Sequence, residues 1–217
     1  MLCYTLYIKF ERENSTKGEF EMKKVLFVDC CIRRENSRSK ALADHFIGEL
    51  KKTGEYEIEH LCLMDENLSY FSDGFFFQRE RLLEEGKMEH PRFRYAHQFA
   101  EADKIVIAAP FWDLSFPALL KVYIENLCVD GITFHTDEQG LHGLCKADHM
   151  VYLTARGGIY TDSPLEQGSR YLEQMAVFFG IDQYECIAAE GLDIGVWPVE
   201  ELMDKAKAKA TEVAKTF

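Results

Sequence analysis

Residues 104–109 read Lys104-Ile105-Val106-Ile107-Ala108-Ala109, and Pro110-Phe111-Trp112-Asp113-Leu114-Ser115-Phe116-Pro117 follows at once. A short continuous apolar run, stopped by a proline and turn residues, predicts a strand buried on both faces, as in a parallel sheet. Pro117 stands where a helix would begin, a position that tolerates a residue without an N–H. From there to Cys128 the apolar spacing is helical. Strand, loop and helix in that order make half of a βαβ unit.

The same alternation recurs on both sides. Upstream, Val25-Leu26-Phe27-Val28 is another apolar run, ending at Asp29-Cys30-Cys31. Residues 39–52 place Leu42, Phe46 and Leu50 on one helical face, and residues 56–62 alternate, with Tyr56, Ile58 and His60 on one side of an outer strand. Downstream come a strand at 149–154, a helix at 165–179 stopping near Gly180, a strand at 184–189 and an Ala/Lys/Glu-rich helix at 198–215. Five strands alternating with helices predict an α/β fold: a doubly wound, five-stranded parallel sheet with helices on both faces. The simplest order for it is 2-1-3-4-5.

No repeat or low-complexity linker divides residues 22–217, which are expected to form one domain. Residues 1–21 read as an N-terminal extension of undecided order. Their apolar part, Leu2 to Phe10, is too short for a signal peptide, and no small-residue cleavage site follows. An upstream start before Met22 is the simpler reading; an added edge strand over residues 2–10 is the sharper one. Two insertions interrupt the pattern. Residues 69–81 carry Phe71 and Phe75-Phe76-Phe77 in what reads as a loop, and residues 130–143 (DGITFHTDEQGLHG) read as a long excursion. The phenylalanines suit a satellite of the core, a cover over a ligand or a dimer interface.

Hydrophobic residues make up 47% of the 217, enough for a sizeable core, and charged residues 29%. The net charge of -12 argues against nonspecific nucleic-acid binding, which needs basic patches. No apolar run approaches the roughly 20 residues of a membrane span. Neither nucleic acid nor membrane is an expected partner. The seven cysteines are odd in number, form no C-x-x-C pair and sit partly in apolar runs, as small hydrophobes do. That predicts a reducing cytoplasm without a disulfide framework. The seven histidines show no ligand-like pairing, so no metal is expected.

In an open parallel sheet, ligands gather at the carboxyl ends of the strands, where the strand order reverses. Three segments stand there. After the first strand, Cys31 leads through Arg34 to Ser37-Arg38-Ser39 and a helix. Free N–H groups at a helix start favour an anion, Arg38 adds charge and the serines donate hydrogen bonds, although Ser39 would also serve as a plain N-cap. The segment is neither G-x-G-x-x-G nor G-x-x-x-x-G-K-[ST], which argues against a Rossmann site or an NTPase. After the 104–109 strand, Phe111, Trp112, Asp113 and Leu114 form a loop that lies against a planar ring or simply packs. After the 149–154 strand, Ala155-Arg156-Gly157-Gly158 either lets backbone amides approach a ligand closely or makes an ordinary turn.

In this order and spacing, and with Gly131-Ile132-Thr133-Phe134, Gly140-Leu141 and Ala189-Glu190-Gly191, these segments resemble the FMN-dependent NADH azoreductases of the flavodoxin-like NAD(P)H:quinone oxidoreductase superfamily. The resemblance runs from Met22 to the end of the sequence and is thinnest over residues 69–94. It implies a flavodoxin-like fold, FMN as cofactor and NADH or NADPH as donor. It implies ping-pong, two-electron reduction of a quinone, azo or nitroaromatic acceptor by a homodimer with the flavin at the subunit interface. Residue by residue, it implies that Ser37, Arg38 and Ser39, with Cys31 upstream, hold the phosphate and ribityl chain. Phe111, Trp112, Asp113 and Leu114 would line the isoalloxazine, and Ala155, Arg156, Gly157 and Gly158 its pyrimidine edge.

The flavin carries such chemistry, so no catalytic side chain is expected. His135, His142, Tyr160 and Phe75-Phe76-Phe77 are candidates to shape the acceptor site, each equally explained by surface or packing roles. Three residues depart from the family pattern: Cys31 and Ala155 where serine is common, and Asp113 where asparagine is common. An ionised Asp113 accepts hydrogen bonds but cannot donate them. Beside the ring it would disfavour negative charge on reduced flavin and lower the potential, or else its own pKa would rise; alternatively it would turn away and cap the next helix. Two alternatives stand beside this reading. An electron-transfer flavodoxin fits the acidity but not the phosphate loop or the length. A noncatalytic flavin-binding redox protein would use the vicinal Cys30-Cys31.

Overall fold

The computed structural model describes residues 22–217; the extension at 1–21, with its suggested edge strand, lies outside them. In chain order the elements are β1 (Lys23–Asp29), α1 (Arg38–Thr53), β2 (Tyr56–Cys62), α2 (Asp73–Glu84), α3 (Arg94–Glu101), β3 (Lys104–Ala108), α4 (Ala118–Leu127), β4 (Phe134–Asp137), β5 (Gly140–Gly143), β6 (His149–Ala155), α5 (Gly168–Phe179), β7 (Gln183–Ala189) and α6 (Val199–Ala214). Five strands pair in parallel in the order β2-β1-β3-β6-β7, the expected 2-1-3-4-5 arrangement with the hairpin β4–β5 set apart. β2 is an edge, which is why it alternates while β1, β3 and β6 do not.

Successive residues of β1 and β3 feed opposite layers. Val25, Phe27, Val106 and Ala108 pack with Leu42, Phe46 and Leu50 of α1 and Ala206, Ala210 and Val213 of α6. Leu26, Val28, Ile105 and Ile107 pack with Phe99 of α3, Leu120, Tyr123 and Ile124 of α4 and Leu172 and Phe179 of α5. Each fully buried Leu, Ile or Phe contributes about 1.5–3 kcal/mol.

Two stretches differ from the sequence expectation. Residues 73–84 are helical rather than looped. Phe75, Phe76 and Phe77 are consecutive, so their rings spread around α2 instead of forming a stripe, and only Leu82 of the helix is buried. Phe71, Phe75, Phe76 and Phe77 contact one another with centroids 5.7–6.1 Å apart, and the Arg92 guanidinium lies 3.4 Å over the Phe75 ring. The α2 layer joins a satellite core of Leu82, Phe93, Ala96, Val129 and Ile132. The excursion at 130–143 is an antiparallel hairpin, turning at Gly140 with φ of 119°. Its last residue, Gly143, abuts the end of α5 so closely that a Cβ would stand 2.0 Å from Gly180 N. No helix among the described residues is long and apolar enough to cross a membrane.

Candidate active site

Because β1, β3 and β6 are neighbours, the loops leaving their carboxyl ends lie side by side. The first begins at Asp29, a buried carboxylate that accepts from the Cys31 N–H at 2.9 Å and faces His60 Nε2 at 3.3 Å. Arg34 then adopts φ of 53° and makes a two-pronged pair with Asp65 at 2.7 and 2.9 Å. Ser37, not Ser39, is the N-cap of α1: its Oγ accepts from the Lys40 N–H at 3.3 Å. Ser39 is buried, and its Oγ instead accepts from the Ala155 N–H at 2.9 Å, joining the first loop to the third. The N–H groups of Arg38 and Ser39 meet no acceptor among the described residues, as befits the orphan donors of a first helical turn. Arg38 extends over the surface to Asp193 Oδ1 at 2.7 Å. Cys31 is enclosed in the α1/α6 layer, where burial pushes its thiol far above its ordinary pKa. Its side chain is therefore packing, and the structure does not bring it to the crevice.

The second loop turns tightly. Trp112 and Ser115 exchange backbone hydrogen bonds at 3.0 and 2.8 Å around Asp113 and Leu114, whose φ values are 50° and 67°. Two successive left-handed residues form a type I′ geometry normally given to Asn and Gly. Leucine has no side-chain compensation for it, so the turn carries of order 1–2 kcal/mol of strain there. Gln167 N–H donates to the Leu114 carbonyl at 3.0 Å and Phe111 N–H to the Ala155 carbonyl at 3.3 Å, which hold the turn in place. Trp112 and Leu114 remain exposed. Neither Asp113 nor Ser115 caps α4, which receives no side-chain cap.

In the third loop the Arg156 guanidinium points inward. It is buried, with Nη1 on Glu190 Oε1 at 2.9 Å and Nη2 on Glu166 Oε1 at 3.0 Å. Its backbone is engaged as well, the N–H donating to the Ala189 carbonyl at 2.8 Å and the carbonyl accepting from the Leu192 N–H at 3.2 Å, so Arg156 supports the third loop from beneath and the structure does not bring it to the crevice. Glu190 also accepts from the N–H groups of Tyr160 and Thr161 at 2.8 and 3.0 Å and from Thr161 Oγ1 at 2.6 Å. Burial would raise the Glu190 carboxyl, but these donors outweigh it and hold the group below its usual range. The carbonyls of Gly157 and Gly158 accept from Asp193 and Gly191, while their own N–H groups meet no acceptor among the described residues. The Tyr160 ring covers Gly158, where a Cβ would come within 2.9 Å of it, and lies 4.6 Å from the Phe111 ring.

The crevice thus gathers Ser37, Arg38, Ser39, Phe111, Trp112, Asp113, Leu114, Ala155, Gly157 and Gly158. It does not gather His135 or His142, which pair with Asp130 and Asp137 on a hairpin at the far end of α5. Of the Phe75-Phe76-Phe77 run, Phe75 lines a separate groove with Ser69 and Asn126 near the end of α4. Three supports were not singled out from sequence: Glu166, the loop-clamping role of Glu190, and Asp193. Glu190 alone had a signal, its place after a strand. Asp193 had none, because Arg38 is 155 residues away in the chain. Among the described residues no cluster of ligands could hold a metal ion. Free N–H groups and a guanidinium at a helix start, an apolar turn and a pair of unpaired glycine N–H groups fit a ligand with a phosphate at one end and a flat, hydrogen-bonding ring at the other.

The chain matches the family model described as Flavodoxin-like fold over residues 23–214 and belongs to that family. Within it, the chain is 42% identical over 201 residues to FMN-dependent NADH:quinone oxidoreductase 2 of Clostridium acetobutylicum, covering 90% of this chain and 100% of that one. The FMN-dependent NADH:quinone oxidoreductase of Lachnoclostridium phytofermentans is 40% identical over 198 residues with the same coverage. Among solved structures, an azoreductase from Bacillus anthracis superposes with a TM-score of 0.80 at 31% identity, over 90% of this chain and 100% of that chain.

Proposed function

We propose that this chain is an FMN-dependent NADH:quinone oxidoreductase of the azoreductase type. The names of its relatives support the cofactor and reaction class. The observation that carries the reading in this chain is that the unclaimed N–H groups of Arg38 and Ser39 and those of Gly157 and Gly158 stand on two strand-end loops joined by the hydrogen bond from the Ala155 N–H to Ser39 Oγ. Residues 22–217 form the flavin-binding domain, with residues 1–21 as an extension. The working form is a cytoplasmic homodimer with the flavin at its interface, and the donor is NADH or NADPH.

When bound, FMN would supply ping-pong, two-electron redox chemistry between a nicotinamide donor and a quinone, azo or nitroaromatic acceptor. The protein's residues bind and orient. Ser37 opens α1, Arg38 and Ser39 offer N–H groups and a guanidinium to the phosphate, and Cys31 packs the loop beneath them. Phe111, Trp112, Asp113 and Leu114 would line the isoalloxazine. Ala155 and Arg156 shape the third loop through their backbone, and Gly157 and Gly158 donate N–H groups to the ring's polar edge. Tyr160 flanks the acceptor side through its contact with Phe111. No side chain acts as a nucleophile or proton donor. The Asp113 carboxylate, wherever it faces the ring, opposes added negative charge.

Titrating the purified chain with FMN, followed by anaerobic NADH and then a quinone, tests this. Expected are a yellow complex, bleaching by NADH, recovery of colour with quinone and parallel double-reciprocal plots. Failure to bind FMN overturns the reading, and a long-lived one-electron form would favour the electron-carrier alternative.

A further inference from the structure

Asp193 bridges the first and third loops, yet it belongs to none of the three ligand segments. Its Oδ1 takes Arg38 Nη1 at 2.7 Å. Its Oδ2 lies over Gly157, where a Cβ would stand 2.5 Å from it. Its backbone is fixed as well: the Asp193 N–H donates to the Gly157 carbonyl at 2.9 Å, in a turn flanked by Gly191 and Gly195 with φ of 75° and 79°. A carboxylate is therefore held beside the first turn of α1, where unclaimed N–H groups and the helix dipole favour negative charge. The pair is open to solvent, with side-chain exposures of 42% for Arg38 and 67% for Asp193. Such a pair contributes little stability and breaks easily. It also occupies only one of the five N–H donors of the guanidinium.

We propose that Asp193 is an internal counter-anion for the phosphate position. Resting on the FMN reading above, it competes with the flavin phosphate for Arg38 and sets how tightly a phosphorylated flavin is held. A phosphate at the helix start carries more charge than a carboxylate and has several acceptor oxygens, so it draws Arg38 away. Asp193, anchored by its backbone, remains close and repels the arriving dianion. The result is a cofactor held less tightly, and exchanged more readily, than Arg38 and the helix start alone would give. Asp193 also touches Gly157 at the ring end, but only the phosphate carries the charge it repels, so a flavin without phosphate is not subject to this competition.

Fluorescence-quench titrations of the flavin-stripped chain with FMN and with riboflavin test the proposal. Asp193→Asn keeps the size of the side chain and the backbone hydrogen bond. It is expected to bind FMN about two- to fivefold tighter than the wild type, the scale of an exposed ion pair, and riboflavin equally well. The gain should vanish in an Arg38→Ala background and shrink in roughly 1 M salt, where such charges are screened. Asp193→Ser, with folding checked by circular dichroism, gives the same contrast from a second substitution. Unchanged or weaker FMN binding in both variants, or an equal gain for riboflavin, overturns the proposal while leaving the FMN reading intact. A wild type without affinity for FMN overturns the FMN reading itself and this proposal with it.

Discussion

Ser39 Oγ accepts the Ala155 N–H at 2.9 Å, so one buried hydroxyl joins the start of α1 to the end of β6. This separates two residues that look equivalent in sequence. Ser39→Ala leaves the Ala155 N–H without a partner and should cost about 1–2 kcal/mol in urea unfolding, with weaker FMN binding. Arg38→Ala removes an exposed side chain and should stay within roughly 0.5 kcal/mol of the wild type while also weakening FMN binding. Equal destabilisation of the two variants would contradict this division of roles.

Arg156 ties Glu166 and Glu190 together beneath the third loop. Glu166 is buried and also accepts from the Ser169 N–H at the start of α5. Arg156→Ala strands that carboxylate and should cost about 3–5 kcal/mol. Arg156→Lys should recover only part of the loss, since an ammonium does not reproduce the two-armed fork. Chemical denaturation of both variants decides the point; a neutral Arg156→Ala would show that the pair is dispensable.

The same cluster gives a pH dependence. The Glu190 carboxyl lies below its ordinary value of 4.5 because donation by Thr161, the Tyr160 N–H and Arg156 outweighs burial. A carboxyl depressed in the folded state stabilises the chain fully above its unfolded value and loses that contribution as pH falls through the folded one. Stability should therefore fall as pH drops below 4.5, and Glu190→Gln should flatten that part of the profile. Urea midpoints measured in steps from neutral pH downward check this; identical profiles for wild type and variant would refute it.

Cys30 and Cys31 are adjacent in the chain but feed opposite layers of the core. Burial pushes the Cys30 thiol up to about 12 and the Cys31 thiol well above its usual range. Only the thiolate reacts readily, so both should resist iodoacetamide at neutral pH until the chain is unfolded. Mass spectrometry of the alkylated native chain tests this, and rapid labelling of either cysteine would revive the redox-sensing alternative.

The sheet was legible because β1, β3 and β6 are buried on both faces and carry unbroken apolar runs such as KIVIA. The three strand-end loops of the candidate site could be placed because each follows such a run. α2 was not, since Phe75, Phe76 and Phe77 are consecutive and leave no helical period. α3 escaped notice because its eight residues bury only Tyr95, Ala96 and Phe99. The inward turn of Arg156 and the reach of Arg38 to Asp193 depend on partners brought close by folding, and no local pattern announces them.

The Trp112–Ser115 turn holds Leu114 at φ of 67°, a conformation leucine adopts only when its surroundings impose it. Here the hydrogen bonds to Ser115 and Gln167 impose it, and the exposed side chain gains no compensating burial. Relieving the strain should stabilise the chain, so Leu114→Gly is expected to raise the unfolding free energy by up to about 1 kcal/mol, part of the gain being offset by glycine's greater chain entropy. The proposed flavin contact would lose an apolar surface and some rigidity in the same step, so FMN binding should weaken. Stability and affinity moving in opposite directions would mark the turn as strained for binding. If Leu114→Gly instead destabilises the chain, the leucine side chain must support the fold, and the strain has no connection with the ring.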